Sequence, residues 1–314
     1  MSFRQLLNKR VLGYLSWLKS RRRHYRRDIL DRVVQDVRQH QIEHILVSGD
    51  LTHLGLPQEC RQAREWLRSL GTPEKVSLVP GNHERYVQAD WEATLGQWAD
   101  YFTPEVQTEK EAGFPTLQKV QSIAVIGVNS AVPTPPFFAS GCVGKAQRER
   151  LSEILRRCRN EGLFRLIMIH HSPLKHGHSW RKRLQDAEEM TELLIVEGAE
   201  LVVHGHGHIE GIHSIAGGAG EIPVLAAPSA SRFGEGRAGW NHLSISECRA
   251  TDQDKAAWRV ELACRRFFPE ESKLPEAAEA AEKVLSQPLN PPIAAGVPGE
   301  MRTTHEQVFR VYQN

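Results

Sequence analysis

No apolar run in this chain of 314 residues approaches the ~18 residues that span a bilayer. Residues 11–18 are apolar, but Lys19 and Arg21-Arg22-Arg23 follow them with no small-residue cleavage site, so they do not read as a secretory leader. Cysteine is sparse: Cys60, Cys142, Cys158, Cys248 and Cys264 are odd in number and never form a C-x-x-C pair. Free thiols in a reducing compartment fit that usage better than a disulfide framework does, and a cytoplasmic location is the expectation. No internal repeat is visible. The formal net charge of +2 shows little overall imbalance, yet residues 1–32 hold ten Lys/Arg against Asp28 and Asp31.

What is present is a βαβ alternation that turns into hairpins. Residues 24–40 carry Ile29, Leu30, Val33, Val34 and Val37 on one helical face, and Pro57 opens a second helix reaching Leu70. Residues 145–161 form a third, stopped by Gly162, and Asp186 with Glu189 resembles a capping box for a fourth, ending near Gly198. Short strands fall at 45–48, 76–79, 122–128, 165–169 and 201–203. Further strands follow at 212–215, 222–226, 241–246 and 258–264. The pattern predicts an α/β sandwich of two mixed sheets with helices outside. After Phe268 the chain becomes rich in proline, alanine and glutamate. Residues 269–314 read as a disordered tail, with at most a short helix at 276–285.

Four islands carry the chemistry: Gly49-Asp50, Gly81-Asn82-His83-Glu84, His170-His171 and Gly205-His206-Gly207-His208. Each follows an apolar, β-branched run, so four strand ends offer metal ligands at one sheet edge. A Gly-Asp pair alone marks any turn, and a lone His-His pair has little meaning. All four in this order are another matter. Asp50 offers a carboxylate able to bridge two ions, Asn82 an amide oxygen, and His170, His206 and His208 neutral imidazole, a set suited to hard or borderline divalent cations. Two such ions ~3.5–4 Å apart clamp a phosphoryl group and generate hydroxide near neutral pH. His83 sits beside a ligand and is the candidate for contacting phosphate and protonating the leaving group.

These motifs resemble the calcineurin-like metallophosphoesterases, above all the group containing the class III cyclic nucleotide phosphodiesterases, over about residues 42–268. That family carries D-x-H, G-D, G-N-H-[DE], H and G-H-x-H on a four-layer α/β/β/α sandwich of two mixed sheets. The resemblance implies a phosphodiester or phosphomonoester substrate and two divalent ions (Mn, Fe or Zn). It makes Asp50 the bridging ligand, assigns Asn82, His170 and His206 to the second metal and His208 to the first, and gives His83 the proton-donating role. Of His170 and His171, the family's ligand is the first. The domain would cover residues 1–268, with a basic segment at 1–27 and the tail at 269–314.

The family's first motif has no counterpart: no Asp-x-His precedes Asp50, so the first strand is missing. Two readings stay open. The start is assigned too late and a strand ending in Asp-x-His lies upstream, or the chain is a degraded relative that binds a single metal without efficient catalysis. The basic segment interleaves Leu6, Leu7, Val11, Leu12, Tyr14, Leu15, Trp17 and Leu18 with arginines and lysines. It is either a solvated helix or an amphipathic element that steers a polyanion or touches an anionic membrane surface, as in a peripheral lipid phosphohydrolase. No aromatic-rich platform accompanies it, which disfavours nucleic acid. Residues 133–138 read as a loop bordering the cleft. Trp180-Arg181-Lys182-Arg183 and Arg232 are weaker candidates for touching phosphate, and His176, His178, His213 and His242 fall outside the motifs.

Overall fold

The apolar runs ahead of the islands become parallel strands, and their pairing brings the islands together. The structure, a computed structural model, describes residues 9–21, 24–102, 113–175, 179–207, 211–218, 220–248, 257–270 and 299–312. Helix α1 (Arg10–Ser16) runs on as a π-helical stretch, Trp17–Arg21, and α2 spans Arg27–Gln39. Strands β1 (Ile45–Val47) and β2 (Val76–Leu78) pair in parallel, with Val47 opposite Leu78. Helix α3 (Pro57–Leu70) makes the crossover that parallel strands require. Pro57 occupies its first turn, and the Glu59 carboxylate accepts the Leu54 and Leu56 N–H groups. Among the described residues, β1 has a strand partner on one edge alone.

The larger sheet contains β3 (Thr116–Val120), β4 (Ile123–Val128), β5 (Phe164–Ile169), β6 (Leu201–His204), β7 (Ile212–Gly217) and β8 (Gly220–Ala226), in the order β3-β4-β5-β6-β8-β7. Strands β4, β5, β6 and β8 are parallel, and β3 and β7 close the two edges antiparallel. Both faces are buried. Phe164, Leu166 and Met168 enter the core shared with β2, while Ile167 and Ile169 pack under α4 (Lys145–Asn160) and α5 (Ala187–Glu197). Burying a side chain of this kind contributes ~1.5–3 kcal/mol. A third sheet places β10 (Ala257–Pro269) between β9 (Gly239–Cys248) and β11 (Gly299–Tyr312), all antiparallel. Trp258, Val260 and Leu262 face the central core, and Phe267 receives Ile29 and Val33 of α2. The mixed α/β fold of sheets and helices is as expected, but among the described residues the strands form three sheets rather than two mixed ones: a parallel pair, a mixed six-stranded sheet and an antiparallel three-stranded sheet.

The structure corrects the expected tail. Residues 299–312 are strand β11, paired with β10 from Tyr312 opposite Ala257 to Gly299 opposite Pro269. The prolines end at Pro298, and Thr303, Thr304, Val308, Phe309 and Val311 supply β-formers that cover an otherwise open edge. Residues 271–298, including the short helix expected at 276–285, lie outside the described residues. The capping box at Asp186 is also absent. Its carboxylate instead accepts the Val143 and Gly144 N–H groups and pairs with Arg148, tying α4 to the start of α5.

Candidate metal centre

The islands meet at the C-terminal ends of β1, β2, β5 and β6, the end where ligands bind in open α/β sheets. Register explains the meeting. Ile169 lies opposite His204, so His170 and Gly205 leave the sheet side by side, and the Gly205 N–H bonds the His170 carbonyl at 3.1 Å. Asp50 and His206 both turn in the left-handed region, at φ 61° and 62°. Such backbone is costly for a side chain and clusters where function over-determines it. Gly81 is required for space: a Cβ there would run into the Asp50 carboxylate and lie 2.7 Å from the His170 ring.

The donor set fits a cation. His170 Nδ1–H donates to the Ser48 carbonyl at 2.6 Å, which leaves Nε2 as the ring nitrogen that can face a cation. That nitrogen lies 3.2 Å from Asn82 Oδ1 and 3.5 Å from Asp50 Oδ2. Three possible ligand atoms thus converge in a site where Asn82 and His170 are buried. Without a proton between them, groups so placed repel one another unless a positive charge joins them. The His206 ring centroid is 5.1 Å from that of His170. Burial raises the Asp50 pKa, but His170, His83 and His206 outweigh it and hold the carboxyl well below its usual range. Ring nitrogens of His170, His171 and His206 all lie within 4.8 Å of one another. His171, however, is engaged elsewhere: Nε2–H reaches the Ala139 carbonyl and Nδ1 accepts from Ser130 Oγ. Burial and its histidine neighbours keep it neutral, well below the usual imidazole value. His170 is therefore the better ligand of the pair. His208 lies outside the described residues, as do His176 and His178.

His83 is held by its backbone N–H and by its ring. Its N–H donates to Asp50 Oδ1 at 3.0 Å, and its Nδ1–H donates to the His53 carbonyl at 2.6 Å. The ring stacks between His53 and Tyr86, at centroid distances of 5.4 and 5.8 Å. Nε2 is then the nitrogen able to hand a proton to a substrate.

The sequence reading gave no role to Glu84, His53, Tyr86, Lys9 or Arg10. Glu84 is buried and accepts from the N–H groups of Asp50, Thr52 and Gly81 and from the Thr52 hydroxyl, lacing two islands together. Burial, then the Asp50 charge, push its pKa up, while the N–H groups of Thr52, Gly81 and Asp50 favour the carboxylate. Its place at the end of Gly-Asn-His-Glu was the available signal. Arg10 donates to the Leu54 and Gly55 carbonyls, and the His53 Nε2–H reaches the Gly13 carbonyl, so α1 is fastened to the loop after Asp50. Lys9 Nζ bonds Thr134 Oγ1 and the Phe138 carbonyl and lies 4.5 Å from the Tyr86 ring centre, joining α1 to the 133–138 loop. Arg232 pairs with Tyr25 in an isolated bridge.

Known proteins resemble this chain in sequence and fold. The model of the family described as calcineurin-like phosphoesterase matches residues 23–210. Human metallophosphoesterase domain-containing protein 1 is 30% identical over 97 residues, 31% of this chain but 29% of that protein, so the chain spans under a third of that relative's length. A probable cyclic nucleotide phosphodiesterase of a Synechococcus strain is 23% identical over 240 residues, 73% of this chain and 80% of that one. The crystal structure of a dimetal phosphatase from Danio rerio shares the fold, with a TM-score of 0.50 at 11% identity over 77% of this chain and 87% of its own. With the family model covering more than half of the sequence and the four islands meeting on the shared fold, the chain belongs to the calcineurin-like phosphoesterases, a family of metal-dependent hydrolases.

Proposed function

We propose that the chain cleaves a phosphodiester or phosphomonoester at the tips of β1, β2, β5 and β6. The convergence of His170 Nε2, Asn82 Oδ1 and Asp50 Oδ2, at 3.2 and 3.5 Å, carries this reading. Asp50, Asn82, His170 and His206 would hold one divalent cation. Asp50 would be shared with a second, for which His208 is the assigned ligand. Mn²⁺, Fe and Zn²⁺ all suit these donors. Bound there, divalent ions supply Lewis acidity to phosphoryl oxygens and lower the pKa of water. The chain's own residues do the rest. Asp50 anchors His83 through its backbone N–H, and the His53 carbonyl fixes which ring nitrogen faces the leaving group. Protonated at Nε2, His83 delivers its proton to the departing alkoxide. Glu84 touches no reacting atom and keeps the two ligand loops in register.

The test is hydrolysis of bis(p-nitrophenyl) phosphate and p-nitrophenyl phosphate with added Mn²⁺. Turnover that ends on chelation and returns with metal, and that Asn82→Ala removes, supports the proposal. Full-rate cleavage by metal-free protein defeats it. A second reading, a single-ion phosphate binder, uses the same His170, Asn82 and Asp50 donors. Elemental analysis separates the two: one ion without turnover marks the binder.

A further inference from the structure

The metal centre leaves one large feature unused. Residues 10–21 run as one continuous helical stretch with two different sides. Arg10 and Gly13 are pinned to the Leu54 loop and Tyr86, while Tyr14 and Trp17 stack on each other. Val11, Leu12, Leu15 and Leu18, spaced i, i+1, i+4 and i+7, are all exposed, Leu15 at 54%. Beside this stripe, through the Lys9 bonds, lies the 133–138 loop, with Phe137 76% exposed. Phe138 meets Trp180 edge-on at 5.0 Å, and Trp180 is itself 60% exposed. The Arg181 guanidinium lies 5.3 Å from the Trp180 ring centre. Arg181, Lys182 and Arg183 are exposed and, among the described residues, make no ion pair with a carboxylate. Along the sequence the stripe continues into Lys19 and Arg21-Arg22-Arg23.

We propose that this face, the apolar stripe of α1 with the Phe137 and Trp180 loops, docks on an anionic phospholipid surface and sets the metal centre beside it. Aliphatic side chains bounded by cations, with aromatic residues at the margin, are the composition that lies in a lipid interface. The charge is complementary to anionic headgroups. It is not complementary to a second copy of the chain, which would bring the same cations face to face. Exposed leucine and valine gain nothing from nucleic acid, which asks for phosphate contacts and stacking. The His171–Ala139 bond and the Ala139 N–H to the Arg181 carbonyl join this surface to the strand tips.

Co-sedimentation of the full chain with phosphatidylcholine vesicles, and with vesicles also containing phosphatidylserine, tests the proposal without reference to hydrolysis. The expected result is retention on the anionic vesicles alone, lost as salt is added. Leu12→Glu with Leu15→Glu, and separately Arg181→Glu with Lys182→Glu, should each weaken it at least ~10-fold. The second pair lies on a loop and serves if the first fails to fold. In the wild-type chain, anionic vesicles should blue-shift tryptophan emission, and Trp180→Phe should reduce that shift. Equal retention on both vesicle types, retention on neither, or retention untouched by both variant pairs would overturn the proposal. So would a dimer in sedimentation equilibrium that Leu12→Glu with Leu15→Glu dissolves, or tighter binding to single-stranded DNA than to the vesicles.

Discussion

The strand tips and the rim touch, yet they are built on opposite terms. At the tips Asn82, Glu84, His170 and His171 are buried, Asp50 and His206 carry strained backbone, and Gly81 has no space for a side chain. At the rim, aliphatic and basic side chains stand in solvent, and the attachment rests on hydrogen bonds from Lys9, Arg10 and His53. Ligand chemistry tolerates little positional error, so the tips are over-determined. A rim needs only to be present at roughly the right place. The contrast predicts that damage falls off steeply from the tips outward.

Asp50→Ala should have the largest effect. It removes the proposed bridging ligand, the acceptor of the His83 N–H and the negative charge that three histidines surround. Both metal content and phosphodiester turnover should collapse, the latter by more than the ~10²–10⁴-fold that a lone general acid contributes. His83→Ala should come next. Turnover should drop by about 10²–10⁴-fold with bound metal unchanged. Loss of metal together with turnover would move His83 into the ligand set instead.

Glu84→Gln probes the support of the ligand loops. The carboxylate oxygens accept from three backbone N–H groups and a hydroxyl, and an amide replaces one acceptor with a donor aimed at other donors. Metal affinity should weaken by ~10–100-fold, and stability should fall by ~1–3 kcal/mol, read by denaturant titration. An unchanged metal affinity would show that the loops hold their shape without this residue, and the contrast between tips and rim would blur.

The parts of this molecule that could be read in the sequence are those whose determinants are local. Ile45-Leu46-Val47 before Gly49-Asp50, or Leu166 to Ile169 before His170, announce a strand and a candidate ligand within a few residues. The roles of Arg10 and Lys9 are long-range, because the carbonyls they meet belong to Leu54, Gly55 and Phe138. Nothing near position 10 distinguishes a buried arginine from a solvated one. Strand β11 was hidden for the same reason. Its partner β10 lies beyond a proline-rich stretch, and the face that carries Phe309 and Val311 toward the core also carries the polar Gln307 and His305, which breaks the apolar alternation. Asp186 shows the reverse error: its spacing to Glu189 satisfies a local rule, but the Val143 and Gly144 N–H groups are better donors on offer.

The smallest predicted effect belongs to the rim and depends on pH. Lys9 is half-buried, and burial lowers its pKa from 10.5 to about 8. Below about 8 the lysine is charged in both folded and unfolded chains, so folding bears the full cost of burying that charge. Between about 8 and 10.5 the unfolded chain binds more of this proton than the folded one, so this cost shrinks as pH rises. Lys9→Met keeps the stem and removes the titration. Thermal melts of the two proteins across that window should show the wild type gaining on the variant with rising pH. The bonds to Thr134 and the Phe138 carbonyl oppose the trend, because a charged ammonium makes them more strongly. A difference between the two proteins that stays flat would therefore mean that these bonds and the Tyr86 ring offset the burial cost. One that runs the other way would make Lys9 a stabilising clasp in its charged form, and the rim would be fastened far more tightly than its exposure suggests.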